Sequence, residues 1–274
     1  MTLFGYVPRN TPVHKLTGAT KLLLTLALSI SAMLTFDTRF LVIVIVLSLI
    51  LFVISKLRFS EIRPVLTLLF LFMIINNAAI YLFAPEQGVL IYGTRTELLY
   101  LTERYIITSE QLFYQLNVTL KYFSIVPVAL IFFLTTEPGE FASSLNTLKV
   151  SYKVAYAVSL SLRYIPDVQR SYREISQAQQ ARGVDISKKA KPRARLTGVL
   201  AIVFPLVFSS MDKIDLISNA MELRGFGRLK RRTWYSARAF SRLDIVVICL
   251  SALCVLASVM TLIINGGRFY NPFI

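Results

Sequence analysis

Few residues in this chain are placed to do covalent chemistry, and their spacing says what that chemistry would be. Asp212 and Asp215 stand three apart, and Asp167 and Glu174 seven apart. On a helix each pair shares one face, as general acid–base work would need. Each pair also has basic neighbours (Lys213, Arg163, Arg170), so surface ion pairing is the cheaper account. The two cysteines, Cys249 and Cys254, fall inside one apolar run and point in different directions. They suit small hydrophobes better than a disulfide or a metal pair. His14 is the only histidine, so neither a metal site nor any other cofactor is expected. No Gly-x-x-x-x-Gly-Lys-Ser/Thr loop occurs, and the chain is not expected to hydrolyse a nucleotide itself. A membrane-embedded enzyme is the disfavoured alternative.

The residues that repeat are of another kind. ISQAQQARGVD at 175–185 and ISNAMELRGFG at 217–227 both spell Ile-Ser-amide-Ala-x-x-x-Arg-Gly, which sets Arg182 and Arg224 42 residues apart. One Arg-Gly after a helical run is an ordinary stop. Glycine accepts the left-handed conformation past the helix end, and a cation suits the last turn. Two copies, ending two successive amphipathic helices, point to a shared task. Gly183 and Gly225 turn the chain away and leave each arginine at an exposed tip. Ala178, Ala181 and Ala220 keep the tips narrow enough to enter a groove. An arginine there can form a forked pair with a carboxylate or cap the carbonyls of a partner. A phosphate ligand fits less well, because a helix carboxyl end carries the wrong dipole for an anion.

The elements that must position these tips are membrane helices. Apolar residues make up 55% of the chain and the mean hydropathy is +0.62. Spans are expected at 22–36, 40–55, 65–83, 118–136 and 245–264, the first two borrowing flanking polar residues to reach about 20 residues. No small-residue cleavage site follows the first run, so that run is expected to be retained. With the amino terminus inside, 25 of the 30 lysines and arginines fall on the cytoplasmic side and five outside, as the positive-inside rule asks. That placement explains the charge of +15 without nucleic acid as a partner. The fold class is therefore an all-α integral membrane protein with about five spans and a set of amphipathic cytoplasmic helices.

The chain divides into three segments: 1–136 with four spans and an outer segment at 84–117, cytoplasmic helices at 137–242, and a last span with an outer tail at 243–274. The outer segment reads as a small re-entrant or interfacial hairpin. Pro64 suits the first turn of the third span, Pro127 should kink the fourth, and Lys121 can snorkel outward. Asn76 and Asn77 could line a path, but interhelical hydrogen bonding is their commoner use. Within 137–242, helices are expected from about Thr136 onward, at 153–182 and at 196–224, with a basic connector between the last two. Residues 196–211 are nearly long enough for a sixth span, but crossing there would put many basic residues outside. No acidic residue lies deep in a span, which disfavours a stand-alone ion-coupled transporter.

AQQARG and AMELRG resemble the two Ala-Arg-Gly-type signatures of the transmembrane T component of energy-coupling factor transporters. VHKLTGATKLLL is similar to that family's amino-terminal entry, TTEPGEFASSL to its Thr-Thr-x-Pro segment, and the blocks ending at Arg182 and Arg224 to its two coupling helices. Leu223 stands where the first copy has Ala181. The resemblance implies a non-catalytic coupling subunit of a bacterial cell-membrane importer for vitamins or other micronutrients. Its partners would be two cytoplasmic ABC-type ATPases and a small substrate-binding membrane subunit. Ala181, Arg182, Gly183, Leu223, Arg224 and Gly225 would dock on the ATPases. Leu162, Ile165, Tyr172 and Ile175 would offer the substrate subunit an apolar platform.

Overall fold

The structure is a computed structural model; it describes residues 9–102, 105–184, 191–229, 233–234 and 238–273. The order is α1 (Pro12–Lys15), α2 (Gly18–Leu34), α3 (Thr38–Ser55), α4 (Phe59–Phe83), α5 (Gln87–Tyr92), β1 (Glu97–Thr102), β2 (Tyr105–Thr108), α6 (Ser109–Thr135), α7 (Pro138–Thr147), α8 (Tyr152–Ala181), α9 (Pro192–Leu223) and α10 (Arg242–Ile264). The chain is an all-α membrane protein with a single two-stranded antiparallel hairpin, β1–β2, among the described residues. It divides into two compact units, Met1–Glu140 with Arg238–Ile274, and Phe141–Ala237.

In the first unit α3, α4, α6 and α10 are long and apolar enough to cross a membrane. The first expected span is α2, at 17 residues a shorter apolar helix, about 25 Å long. It starts and stops earlier than 22–36. Thr17 caps its amino end, and Phe36 is extended, pairing with Phe269 in an isolated bridge with the two rings stacked at 4.6 Å. Helix α2 packs along α10 and α6, and α3 lies against α6. The core between them joins Leu24, Leu28, Phe40, Val44 and Val128. Outward faces such as Phe70, Leu71 and Ile74 on α4 are exposed, as lipid-facing side chains are.

Three expectations about these spans are corrected. Helix α4 starts at Phe59, so Pro64 lies inside it rather than in the first turn. The early start is set by Glu61, whose carboxylate accepts the Arg58 N–H at 3.0 Å and pairs with Arg9 at 2.6 Å. Helix α6 starts at Ser109, nine residues before the expected 118, because Glu110 and Gln111 anchor a first turn that composition had assigned to the outer segment. Lys121 does not snorkel. It is 9% exposed, donates to the Met33 carbonyl at 3.0 Å and lies 3.5 Å from the Phe36 ring centre. Arg268 adds bonds to the Met33 and Leu34 carbonyls at 2.9 and 3.2 Å, so two cations close the carboxyl end of α2. Asn77 does bridge helices, donating to Thr119 Oγ1 at 3.1 Å.

Segment 84–117 holds the β1–β2 hairpin and a packed knot beside it. Helix α5 lies on the first turn of α6, with the Gly88 N–H donating to Gln111 Oε1 at 2.7 Å. The buried Glu110 carboxylate gathers Thr94 Oγ1 (3.1 Å), the Thr96 N–H (3.1 Å), Thr96 Oγ1 (2.9 Å) and Ser109 Oγ (3.2 Å). Tyr92 packs against Phe113, Phe269 and Phe273, and its carbonyl accepts from Asn271. Burial pushes the Tyr92 hydroxyl above its ordinary pKa.

Candidate functional site

The second unit holds both arginine tips. Helices α8 and α9 form an antiparallel pair. Lys213 of α9 donates to Ser171 of α8 at 3.0 Å. The middle of α8 (Leu160, Tyr164, Ile165, Val168) and the last half of α9 (Ile214, Ile217, Met221) line one apolar groove of about 610 Å³. Because the helices run in opposite directions, their carboxyl ends, with Arg182 and Arg224, stand at opposite ends of the pair. Residues 185–190 of the basic connector, with the Asp185 of the first motif, lie outside the described residues.

Both tips are built alike, down to the hydrogen bonds. At the first, Gly183 is left-handed (φ +87°), its N–H bonds the Gln180 carbonyl at 2.9 Å, and the Val184 N–H bonds the Gln179 carbonyl at 3.1 Å. At the second, Gly225 is left-handed (φ +66°), its N–H bonds Glu222 at 2.9 Å, and the Phe226 N–H bonds Met221 at 2.9 Å. Both are Schellman closures, and each leaves its arginine as the helix cap. Arg182 and Arg224 are exposed, as are Ala178, Ala181 and Ala220, and Leu223 is 89% exposed. A Cβ at position 183 would meet nothing within 4 Å, whereas one at 225 would meet the flexible Arg228 side chain. Gly183→Ala is therefore expected to cost only backbone strain, about 1 kcal/mol. Amide exchange should speed up over 178–184 and nowhere else; unchanged exchange there would refute the closure.

Past the two arginines the tips diverge. Phe226 packs edge-on against Tyr152 and tilted against Tyr156, with ring centres at 5.6 and 4.8 Å. Trp234 lies 6.5 Å from Tyr156 and donates to Asn146 Oδ1 at 3.0 Å. The second tip is thus fastened to the start of α8 by aromatic rings. Nothing in the Arg-Gly motifs foretells this fastening; its trace in the sequence is the pair Tyr152 and Tyr156, one helical turn apart.

The platform residues are not all together. Ile165 lines the groove and is 51% exposed, and Tyr172 is 47% exposed beyond it. Leu162 and Ile175 are half-buried and do not line the groove. The four acidic candidates are corrected too. Asp167, Glu174, Asp212 and Asp215 form no ion pair among the described residues, and Lys213 is spent on Ser171 instead. All four are exposed on unit surfaces, where water solvates a carboxylate as well as a neighbour would.

Residues 9–235 match the CbiQ family, whose description is cobalt transport protein. The chain belongs to the CbiQ family. A protein of Exiguobacterium sibiricum named energy-coupling factor transporter transmembrane protein EcfT is 30% identical over 180 residues, 62% of this chain and 63% of that one. That match spans less than two thirds of the relative's length. Proteins of the same name match almost end to end in Macrococcus caseolyticus (25% identical; 91% and 96% of the two chains) and Clostridium kluyveri (25%; 92% and 96%). The resemblance carried by the two Arg-Gly motifs is borne out by these names. CbiQ membership makes the chain a membrane component of transport, and both tips lie inside the matched residues.

Proposed function

We propose that this chain is the coupling subunit of an energy-coupling factor importer. The Arg182 and Arg224 tips dock on two cytoplasmic ABC-type ATPases, and the α8–α9 pair presents an apolar surface to a small substrate-binding membrane subunit. The observation that carries the proposal is a pair of alike glycine-closed arginine tips at opposite ends of one antiparallel helix pair. Such a pair suits a two-part partner, one groove for each tip. Ala181 and Gly183, with Leu223 and Gly225, shape the contact on either side of the arginines. The groove beside Ile165 supports the second docking, with the exposed Tyr172 further along the same helix and the half-buried Leu162 and Ile175 contributing only their exposed parts. Relatives named as transmembrane proteins of energy-coupling factor transporters support the assignment to that assembly. The solute class, vitamins or other micronutrients, follows from the resemblance.

In this reading the amino terminus and 137–242 are cytoplasmic, while 84–117 and the carboxyl end are outside. Segments 1–136 and 243–274 supply the spans. The end of the first unit where α2 and α10 begin and α6 finishes would then face the cytoplasm, with Lys56, Arg58 and Arg63 near it.

The test is co-purification of the ATPases with the wild-type chain, Arg182→Glu, Arg224→Glu and the double variant. Each single reversal is expected to weaken capture, and the double variant to reduce it by about a hundredfold or more, since each lost charge-assisted contact amounts to about 1.5–3 kcal/mol. Undiminished capture by a folded double variant would return both Arg-Gly pairs to plain helix stops.

A further inference from the structure

The chain leaves the membrane unit after Glu140 and rejoins it at Arg238, so residues 141–237 are an insertion between those two points. Both points are tied to the first turn of α2. The Lys21 side chain is 3% exposed; its Nζ lies 3.5 Å from Glu140 Oε2 and donates to the carbonyl of Thr135, the last residue of α6, at 2.7 Å. The other Glu140 oxygen is 3.0 Å from Arg238 Nε, and Arg238 Nη1 reaches the His14 carbonyl at 3.5 Å. Four residues before Lys21, Thr17 meets the start of α10. Its N–H and hydroxyl donate to Asp244 Oδ1 at 2.8 and 3.1 Å, while Asp244 Oδ2 accepts from the Ser241 N–H and hydroxyl.

Glu140 and Asp244 are 4% and 0% exposed. Burying a carboxylate is unfavourable unless it is paired and hydrogen-bonded, and apolar packing would hold helix ends together at least as well. What ionic contacts add is direction: they hold one geometry and weaken steeply outside it. Here that geometry joins four chain segments at the two crossings into the inserted helices.

We propose that Lys21, Glu140 and Arg238 are positioning residues. They moor both crossings to α2, so that movement of the arginine tips reaches the spans and is not absorbed where the chain changes units. The mooring rests on the coupling function proposed above, and it gives a task to the VHKLTGATKLLL segment, whose Thr17 and Lys21 face the two carboxylates.

Two measurements test it. In the chain alone, in detergent micelles, Lys21→Met is expected to raise amide exchange over 138–147 and 238–244 by about tenfold or more, with α3 and α4 unchanged. Exchange that stays at the wild-type rate overturns the mooring, whatever the partners do. In the full complex in liposomes, Lys21→Met should keep ATPase capture and hydrolysis within about twofold, while solute taken up per ATP falls by about fivefold or more. Lys21→Arg, which keeps the charge, should restore most of that ratio. Glu140→Gln, which keeps one acceptor oxygen and so can serve only one of the two cations, should give an intermediate loss and serves if Lys21→Met does not fold. An unchanged ratio in both Lys21→Met and Glu140→Gln, or uptake and hydrolysis falling in step, overturns the transmission. Failure of the wild-type chain to capture ATPases would instead sink the coupling function, and the exchange measurement would still decide whether the mooring exists.

Discussion

Gly88→Ala is expected to leave little folded protein in the membrane. A Cβ at position 88 would fall on the backbone of Glu110 and Gln111, well inside contact distance. Neither neighbour can move aside like the end of a flexible side chain, because both belong to the first turn of α6. The remaining response is for α5 to lift from α6. That breaks the 2.7 Å bond from the Gly88 N–H to Gln111 and strips Tyr92 from Phe113 and Phe273. Gln111 is 1% exposed, so its amide would lose a buried partner as well. The combined loss is about 4 kcal/mol or more, enough to exhaust much of an ordinary stability margin. Size-exclusion chromatography of the detergent-solubilised variant should show aggregate in place of the wild-type peak. A normal peak with wild-type thermal stability would mean that the α5–α6 contact is not as close as described.

Glu110→Ala should come next in severity. The carboxylate gathers four donors from Thr94, Thr96 and Ser109 and sits in the first turn of α6, where the helix dipole favours a negative charge. Alanine would leave those donors without their acceptor in a buried place, a loss of about 3–5 kcal/mol. The melting temperature should drop by about 10 °C. Glu110→Gln retains one carbonyl oxygen but turns an amide donor towards other donors, so it should lie between wild type and alanine. Equal stability of all three would show that water replaces the carboxylate there. ATPase capture by whatever protein remains folded should be normal for both variants, since this knot and the arginine tips belong to different units.

The two tips and the α5–α6 knot were unequally legible for a physical reason. Helix ends at Arg182 and Arg224 could be placed within one residue because an Arg-Gly stop is a local device, complete in a few consecutive residues. The spans were visible because lipid imposes a composition over a long run. The knot depends on Gly88 meeting Glu110 across 22 positions of sequence, and on Tyr92 meeting a tail that starts beyond Gly267. No local pattern announces such pairings. Lys121 misled for the same reason: a lone lysine near a span end resembles a snorkeling one until Met33 and Phe36 are seen beside it. The apolar platform was legible as helical periodicity, but periodicity could not say that Ile165 opens on a groove while Leu162 and Ile175 are half-buried.

The contact between Ser171 and Lys213 joins positions 42 residues apart, the same offset that separates the two arginines. Each arm therefore runs an equal eleven residues from this contact to its tip. Deleting one residue from either arm would shorten it by about 1.5 Å and swing its arginine through about 100°. The phase of one tip relative to the other is thus written in residue count. A single insertion or deletion between 171 and 182, or between 213 and 224, would have to be offset by its opposite within the same arm to leave both arginines facing as they do. Whatever side chains the arms carry, their length sets where the tips point.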